Sequence, residues 1–336
     1  MEPEATVNRT NVVTDIHLCY ETDNYSYVVT TSPSIVCILL YVFLVLLCVF
    51  TICGNLLVTI SIIYFKQLHT PTNSLILSLA VTDLLVGIIV FPFSMVFSLS
   101  SCLHYEGLFC KVRSGFDISL GTCSILNLCC ISVDRYYAVC QPLTYQTKIT
   151  HHVVVIMIVM SWGLSALIGT GIIISILNSE NREERYFINV LMANTVGPTI
   201  FSFYLPVIIL LCIYLKIFLV AQRQARSIQN TTKSGATVSK MERKATKTLA
   251  IVMGVFLLCW SPFFFFITFL PFTSNPVPVP VIETLNWLTL SNSMLNPFIY
   301  AFFYSWFRSA FRMIISGKIF QSDLANANLH RPTVCE

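Results

Sequence analysis

The chain reads as an all-α membrane protein, a bundle of seven transmembrane helices with a short amphipathic cytoplasmic helix after the seventh. Three observations carry that expectation. Of its 336 residues, 55% are hydrophobic and 11% charged, and the mean hydropathy is +0.75, whereas a soluble domain has about a quarter of its residues charged. The apolar residues form seven stretches, each long enough to cross a bilayer core, which takes about 20 helical residues. The basic residues gather on one side of those stretches. The formal net charge of +4 is a small difference between 20 basic and 16 acidic groups, so it gives no reason to expect nucleic acid as a partner.

Three regions follow in order: an extracellular, glycosylated tail (1–34), the seven-span domain (35–304), and an interfacial helix with a cytoplasmic tail (305–336). The tail lacks the features of a removable signal peptide, so the first span is expected to act as a signal anchor. The spans are expected near 35–64, 72–99, 108–138, 151–175, 193–221, 247–271 and 279–304. With the N-terminus outside, fifteen of the 20 Lys and Arg residues fall on the cytoplasmic side, and Arg9, Lys111, Arg113, Arg182 and Arg185 fall outside. This asymmetry sets the orientation of a plasma-membrane protein with a cytoplasmic C-terminus. Two N-glycosylation sequons, at Asn8 and Asn24, then lie outside. Most of the 13 cysteines sit in apolar stretches as small hydrophobes, while Cys19, Cys102 and Cys110 fall on the oxidising side.

Loop residues Ala221 to Lys240 form a basic cytoplasmic segment that faces lipid and partner protein. Residues Trp306 to Ile315 mix apolar and basic side chains at helical spacing and read as the interfacial helix. Cys335 is a weak lipidation site.

A carboxylate inside a span costs about 2.5–3.5 kcal/mol even on a lenient insertion scale, so each one calls for a role. Asp83 in span two has Asn55, Ser124, Asn292, Ser293 and Asn296 as polar neighbours to be expected from spans one, three and seven. Such a cluster suits a sodium ion, or else simply satisfies the carboxylate within the bundle. Asp117 in span three is flanked by Phe116, Ile118 and Gly121, with no evident positive partner, and a cationic ligand would supply one. The aromatic run from Trp260 to Phe266 offers cation–π faces, with Phe263 and Phe264 expected to point inward. Pro262 removes a helical hydrogen bond, and the resulting kink is expected to open a cavity in the outer half.

Short motifs occur in order, one set per helix: Gly54-Asn55, Leu79 to Asp83, Asp134-Arg135-Tyr136, Trp162, Pro206 with Tyr214, Cys259-Trp260-Ser261-Pro262 and Asn296-Pro297-Phe298-Ile299-Tyr300. On these residues the chain, from about 50 to 322, resembles the rhodopsin-like (class A) G-protein-coupled receptors. Phe65 to Asn73, Asp134 to Cys140, Glu242 to Leu249 and Asn292 through Arg308 are most similar to the trace amine-associated receptors. The resemblance implies an amine-activated receptor, commonly olfactory, coupled to a heterotrimeric G protein, often the stimulatory type that raises cAMP. Arrestin, a receptor kinase and membrane lipids are the further partners implied.

It also implies residue roles. Asp117 becomes the ammonium counter-ion. Arg135 pairs with Asp134 and with Glu242 of span six at rest. Trp260, with Ile125, Pro206 and Phe256 below it, passes ligand contact to an outward swing of span six, and Tyr136, Tyr214, Asn296, Pro297 and Tyr300 belong to the same machinery.

Three features depart from the family pattern. No cysteine occurs between Cys140 and Cys212, so Cys110 is free or pairs with Cys19 or Cys102, and Cys19 is the favoured partner because that bridge would tie the N-terminal tail over the pocket. Leu290 stands where aminergic relatives place a Tyr beside the ammonium-binding Asp. No acid occurs in the outer part of span five, and Glu283, beside Asn286 and Trp287, is the substitute seat for the far end of a diamine or polyamine. Alternatively, Glu283 is an exposed acid at a helix start. Ten of the 16 acids fall outside, which favours cations at that face.

A monoamine receptor remains the neighbouring alternative, and an amine or cation transporter a more distant one, disfavoured because no internal repeat is present. A retinal protein would need a membrane lysine, and none occurs between Lys247 and Lys318. The sequence holds no phosphate-binding glycine loop, metal-ligand cluster or nucleophile–base arrangement of an enzyme.

Overall fold

The computed structural model describes residues 35–99, 108–179, 199–229, 235–269, 279–303 and 305–317. Every regular element among them is helical. Span one is Ile35–Tyr64, span three Leu108–Cys140, span four His151–Ser179, span six Gly235–Phe269 and span seven Val279–Phe303. Span two runs Pro71–Leu85, passes through a π turn at Val86–Val90, and continues as Phe91–Leu99. Span five opens with a π turn at Ile200–Tyr204 and continues as Leu205–Gln229.

Local chemistry explains these boundaries. Span two starts where Thr70, in extended backbone, accepts a hydrogen bond from the Asn73 amide, with Pro71 in the first helical position. Each π turn ends two residues before a proline, Pro92 or Pro206. A proline ring clashes with the carbonyl four residues back and has no N–H to offer it, and one wide turn absorbs both effects. Pro262 and Pro297 lie within spans six and seven without a change of helix type.

Six of the spans are long and apolar enough to cross a membrane by length and composition alone. The seventh, Val279–Phe303, is long enough but more polar, because it carries Glu283, Asn286, Asn292, Ser293 and Asn296. It crosses as a member of the bundle, with Asn292, Ser293 and Asn296 turned to protein and buried. Neighbours close a ring: one on two, two on four, four on three, three on five, five on six, six on seven and seven on one, with span three packed against two, four and five. Spans one and four expose rows of large apolar side chains, Leu39, Phe43, Leu46 and Phe50 on one and Ile156, Val159, Met160 and Leu167 on the other. In a multi-pass chain that is the lipid-facing side.

Two expectations change. The segment expected as a basic cytoplasmic loop, Ala221 to Lys240, is largely helix, since span five runs to Gln229 and span six begins at Gly235. Cys53 and Cys212, expected to be buried, are exposed on the outside of the bundle. The interfacial helix is Ser305–Ile315. It buries Trp306, Phe307 and Ala310 in one core with Val58 and Ile62 of span one, Phe65 just after it and Tyr300 of span seven, and leaves Phe311 and Ile315 exposed. Asn8, Asn24, Cys19, Cys102 and Cys335 lie outside the described residues, as does the Cys110 side chain, and with them the expected sequons and disulfide.

Gly54 permits spans one and seven to touch: a Cβ added there would meet Pro297 Cβ and Cγ at 2.9 Å. Gly254 has nothing within 4 Å of such an atom. Gly54→Ala is therefore expected to destabilise by about 1–3 kcal/mol through overpacking, while Gly254→Ala should be neutral or stabilise by about 0.5–1 kcal/mol. Thermal inactivation of the detergent-solubilised protein measures both, and equal midpoints for the two variants would refute the packing argument.

Candidate functional site

Polar and charged groups gather at three depths in the bundle. At the outer end, Asp117 is not without a positive partner, as the sequence suggested. Arg113, counted there only among the outer-side bases, lies one turn earlier on the same helix, with Nε 3.5 Å from Asp117 Oδ2. Its Nη2 lies 3.6 Å from Glu283 Oε1 of span seven. The side chains of Arg113, Asp117 and Glu283 are 8%, 20% and 16% exposed, so the three charges form a largely buried group. Asp117 Oδ1 is buried and has no hydrogen-bond partner among the described residues. Glu283 is thus held by Arg113 and is not an exposed helix-start acid. The spacing of four between Arg113 and Asp117, inside a helix starting at Leu108, was the available signal for this pair.

Below this group lies an aromatic stack. The Trp260 ring packs on Phe264 with centroids 5.8 Å apart, and Phe264 lies flat on Phe203 of span five at 4.1 Å. Phe263 meets Phe264 edge-on at 5.6 Å, whereas Phe265 points outward. Phe203, absent from the sequence expectation, joins Ile125, Val207, Phe256 and Trp260 in one core. The Pro206 carbonyl accepts from Cys129 Sγ at 3.9 Å. Gly121 lets Trp260 approach span three, because a Cβ there would stand 3.0 Å from Trp260 Cη2. Leu290 is buried with Leu120 and Phe91, and Trp287 meets Phe91 edge-on at 5.4 Å. The Asn286 carbonyl accepts from Thr289 Oγ1 at 2.7 Å.

An apolar cleft of about 620 Å³ lies between spans three, four and five, lined by Leu126, Leu164, Ile168, Phe201 and Ile209. It carries no charged group and is separate from Asp117, so it is no part of an ion-binding site.

At mid-depth Asp83 is fully buried. Its Oδ1 accepts from Ser293 Oγ at 2.7 Å and Ser124 Oγ at 3.4 Å, and its Oδ2 accepts from Asn296 Nδ2 at 2.7 Å. Asn55 does not reach Asp83; its amide donates to the Ser293 and Thr51 carbonyls at 3.0 and 2.9 Å. Asn292 is buried, and its Nδ2 has no partner among the described residues. The Asp83 carboxylate and the Ser124 and Ser293 hydroxyls are hard oxygen donors, which suits a small cation of the sodium type. Among the described residues no three His, Cys, Asp or Glu side chains cluster as metal ligands.

At the cytoplasmic end Arg135 Nη2 and Nε donate to Asp134 Oδ2 at 2.6 and 2.8 Å. Two residues missed in the sequence complete this site. Thr72 Oγ1 donates to Asp134 at 3.0 Å and accepts from Arg135 at 2.6 Å, and Tyr145 Oη donates to Asp134 Oδ1 at 2.9 Å. Burial raises the Tyr145 pKa, which keeps its hydroxyl a proton donor. Glu242 lies on the span-six helix, but its side chain is outside the described residues, so its expected pairing with Arg135 is outside them too. Lys216 Nζ stands 5.2 Å over the Tyr136 ring. Tyr214 Oη is 3.1 Å from Ser132 Oγ, while Tyr300 is buried in the core of spans one and two and the interfacial helix.

A seven-helix membrane bundle with an outer ion group, a buried carboxylate at mid-depth and an Asp-Arg pair at the cytoplasmic end is the architecture of a signal-transducing receptor. The profile of the 7 transmembrane receptor (rhodopsin family) matches residues 54–300, and the chain belongs to that family, which is one of receptors and not of enzymes. Within it, the chain is 44% identical over 330 residues to Trace amine-associated receptor 1 of Macaca mulatta, covering 93% of this chain and 97% of that protein. It is 43% identical over 333 residues to Trace amine-associated receptor 4 of Mus musculus, covering 94% and 96%. With Trace amine-associated receptor 2 of Rattus norvegicus the identity is 42% over 289 residues, covering 83% and 85%.

Removing Asp83 tests the mid-depth network. Asp83→Leu leaves the Ser293 and Asn296 donors without their acceptor, at about 1–3 kcal/mol for each buried unsatisfied group, while Asp83→Asn keeps one acceptor oxygen. Thermal inactivation in detergent should rank parent, Asn and Leu in falling order, and a Leu variant as stable as the parent would contradict the geometry.

Proposed function

We propose that the chain is a plasma-membrane receptor, N-terminus outside, that binds a protonated amine on Asp117 and signals through a heterotrimeric G protein. The observation that carries this reading is the Asp117 carboxylate, set at the outer end of the bundle near the aromatic stack, with Oδ1 buried and still open to a donor. An ammonium group satisfies that oxygen by a charge-assisted hydrogen bond. The three relatives, all trace amine-associated receptors by name, support the same ligand class. Their resemblance also supports the stimulatory G protein, a rise in cAMP, an olfactory role, and arrestin and receptor kinase as later partners.

In this reading ligand contact acts on Trp260 and the proline kink of span six, and Arg135 leaves Asp134 to engage the G protein. Sodium at Asp83 would favour the resting bundle by holding spans two, three and seven together. A diamine or polyamine is a second reading, and it competes with a monoamine. What favours it is that Asp117 and Glu283 face one common cation, which makes two anionic seats one guanidinium apart. Arg113 already stands between them, so a diamine reaches the second seat only by displacing it.

Asp117→Ala should raise the effective amine concentration by orders of magnitude, since breaking a buried charge pair costs about 3–5 kcal/mol. A variant that reaches the surface and responds with unchanged potency would overturn the assignment. Arg135→Ala should abolish cAMP output while keeping agonist binding, measured with radioligand in parallel. Binding and output lost together at normal expression would count against it.

A further inference from the structure

Among the described residues two carboxylates and one guanidinium share the outer group, which gives it one net negative charge before any ligand arrives. We propose that Arg113 is a built-in cation filling the second anionic seat, and that it makes this receptor selective for amines bearing a single positive charge. The proposal rests on the reading of Asp117 as the ammonium seat and adds the class of amine.

The geometry divides the two carboxylates between two cations. Among the described residues Arg113 meets Asp117 through Nε and Oδ2, and Asp117 Oδ1 is buried without a hydrogen-bond partner. A monoamine can therefore take Oδ1 while Arg113 keeps Oδ2. At its other end the guanidinium meets Glu283 through Nη2, so the same rigid fork spans both acids and ties span three to span seven. The far ammonium of a diamine has to enter where that fork lies.

Charge counting in a poorly screened site gives the same answer. Two acids, Arg113 and a monoamine sum to zero. Two acids, Arg113 and a diamine leave one uncompensated positive charge, with two cations in like-charge contact. Displacing Arg113 does not solve the problem, because its side chain is 8% exposed and begins on span three, one turn from Asp117. Among the described residues the surrounding side chains offer no other anion: Leu120 and Leu290 are buried and apolar, and the outer part of span five has no acid in its sequence.

The test measures cAMP in cells with epitope-tagged receptors, scored for surface expression. The probes are primary monoamines and α,ω-diamines of matched chain length from four to eight carbons, with 2-phenylethylamine added. The parent is expected to favour the monoamine at each length. Arg113→Gln should shift the diamine-to-monoamine potency ratio toward the diamine by about tenfold or more, the scale of one charge-assisted contact, and Arg113→Lys should keep the parent's preference.

Glu283→Gln retains the Asp117–Arg113 pair and so keeps the proposal testable if Arg113→Gln fails to reach the surface. It brings the group to zero net charge before ligand, and monoamine potency should fall by about tenfold or more. A free second seat at Glu283 would instead spare the monoamine and weaken only the diamine. Diamine preference in the parent, or monoamine potency unmoved by Glu283→Gln, overturns the proposal while leaving Asp117 as the amine seat. Potency that survives Asp117→Ala, or silence toward every probe, sinks the amine reading and this proposal with it.

Discussion

A charge inside an apolar helix bundle has no water to fall back on, so its partners must come from the protein itself. That constraint organises this molecule. Each of the three carboxylates at or within span two and span three has a different kind of partner: a guanidinium on Asp117, neutral hydroxyl and amide donors on Asp83, and an arginine reinforced by Thr72 and Tyr145 on Asp134. Span three supplies two of the acids, both arginines and Ser124, which is why it must pack against spans two, four and five. The polarity of span seven has the same origin. Its Ser293 and Asn296 are the donors that allow Asp83 to be buried, so a helix too polar to be counted as a membrane span by itself is necessary to the bundle.

Between the outer and cytoplasmic groups the contacts are apolar and continuous. Gly121 admits the Trp260 ring, Trp260 rests on Phe256 and Phe264, and these share one core with Ile125, Phe203, Leu128 and Leu210. Leu128 and Leu210 also border Ser132 and Tyr214, and Ser132 stands two residues before Asp134. Close-packed interiors deform in discrete rearrangements and not by gradual compression. A ligand that moves Trp260 therefore acts on the floor of a rigid stack. Spatial continuity by itself is not coupling; under the proposed function the two-state element would be span six, which has Pro262 inside it.

The helices were legible because length and polarity are enough to mark a span, and span one begins and ends where the sequence placed it, at 35–64. The two π turns were not, since a single wide turn leaves an all-apolar stretch looking the same; only the prolines that follow hint at them. Sorting Lys and Arg by the nearer span end puts Arg113 with the outer bases, and that count is blind to its i,i+4 relation to Asp117. Thr72 and Tyr145 carry no distinctive pattern in their own segments, and they become partners of Asp134 only when the short helix Pro142–Lys148 is folded back beneath span two. The Asp83 cluster was legible in part: hydroxyls and amides were expected around it, but which of them reach the carboxylate depends on helix rotation, and Asn55 and Asn292 turn elsewhere.

Arg113 and Asp117 sharing one helix has a consequence that an interhelical pair would not. The i,i+4 spacing fixes their separation within a single rigid element, so the Nε–Oδ2 contact is insensitive to small shifts of span three against its neighbours. The Nη2–Glu283 contact is different, because it crosses to span seven and changes whenever those spans move apart. One guanidinium thus makes a constant contact and a variable one. The constant contact keeps a carboxylate buried at the outer end of the bundle without a ligand. The variable one lets the field at Asp117 depend on the position of span seven, the helix that also carries the Asp83 donors and the Pro297 contact with Gly54. A charge arriving at Asp117 Oδ1 weakens the attraction of both acids for Arg113, and of the two contacts it is the interhelical one that has freedom to lengthen.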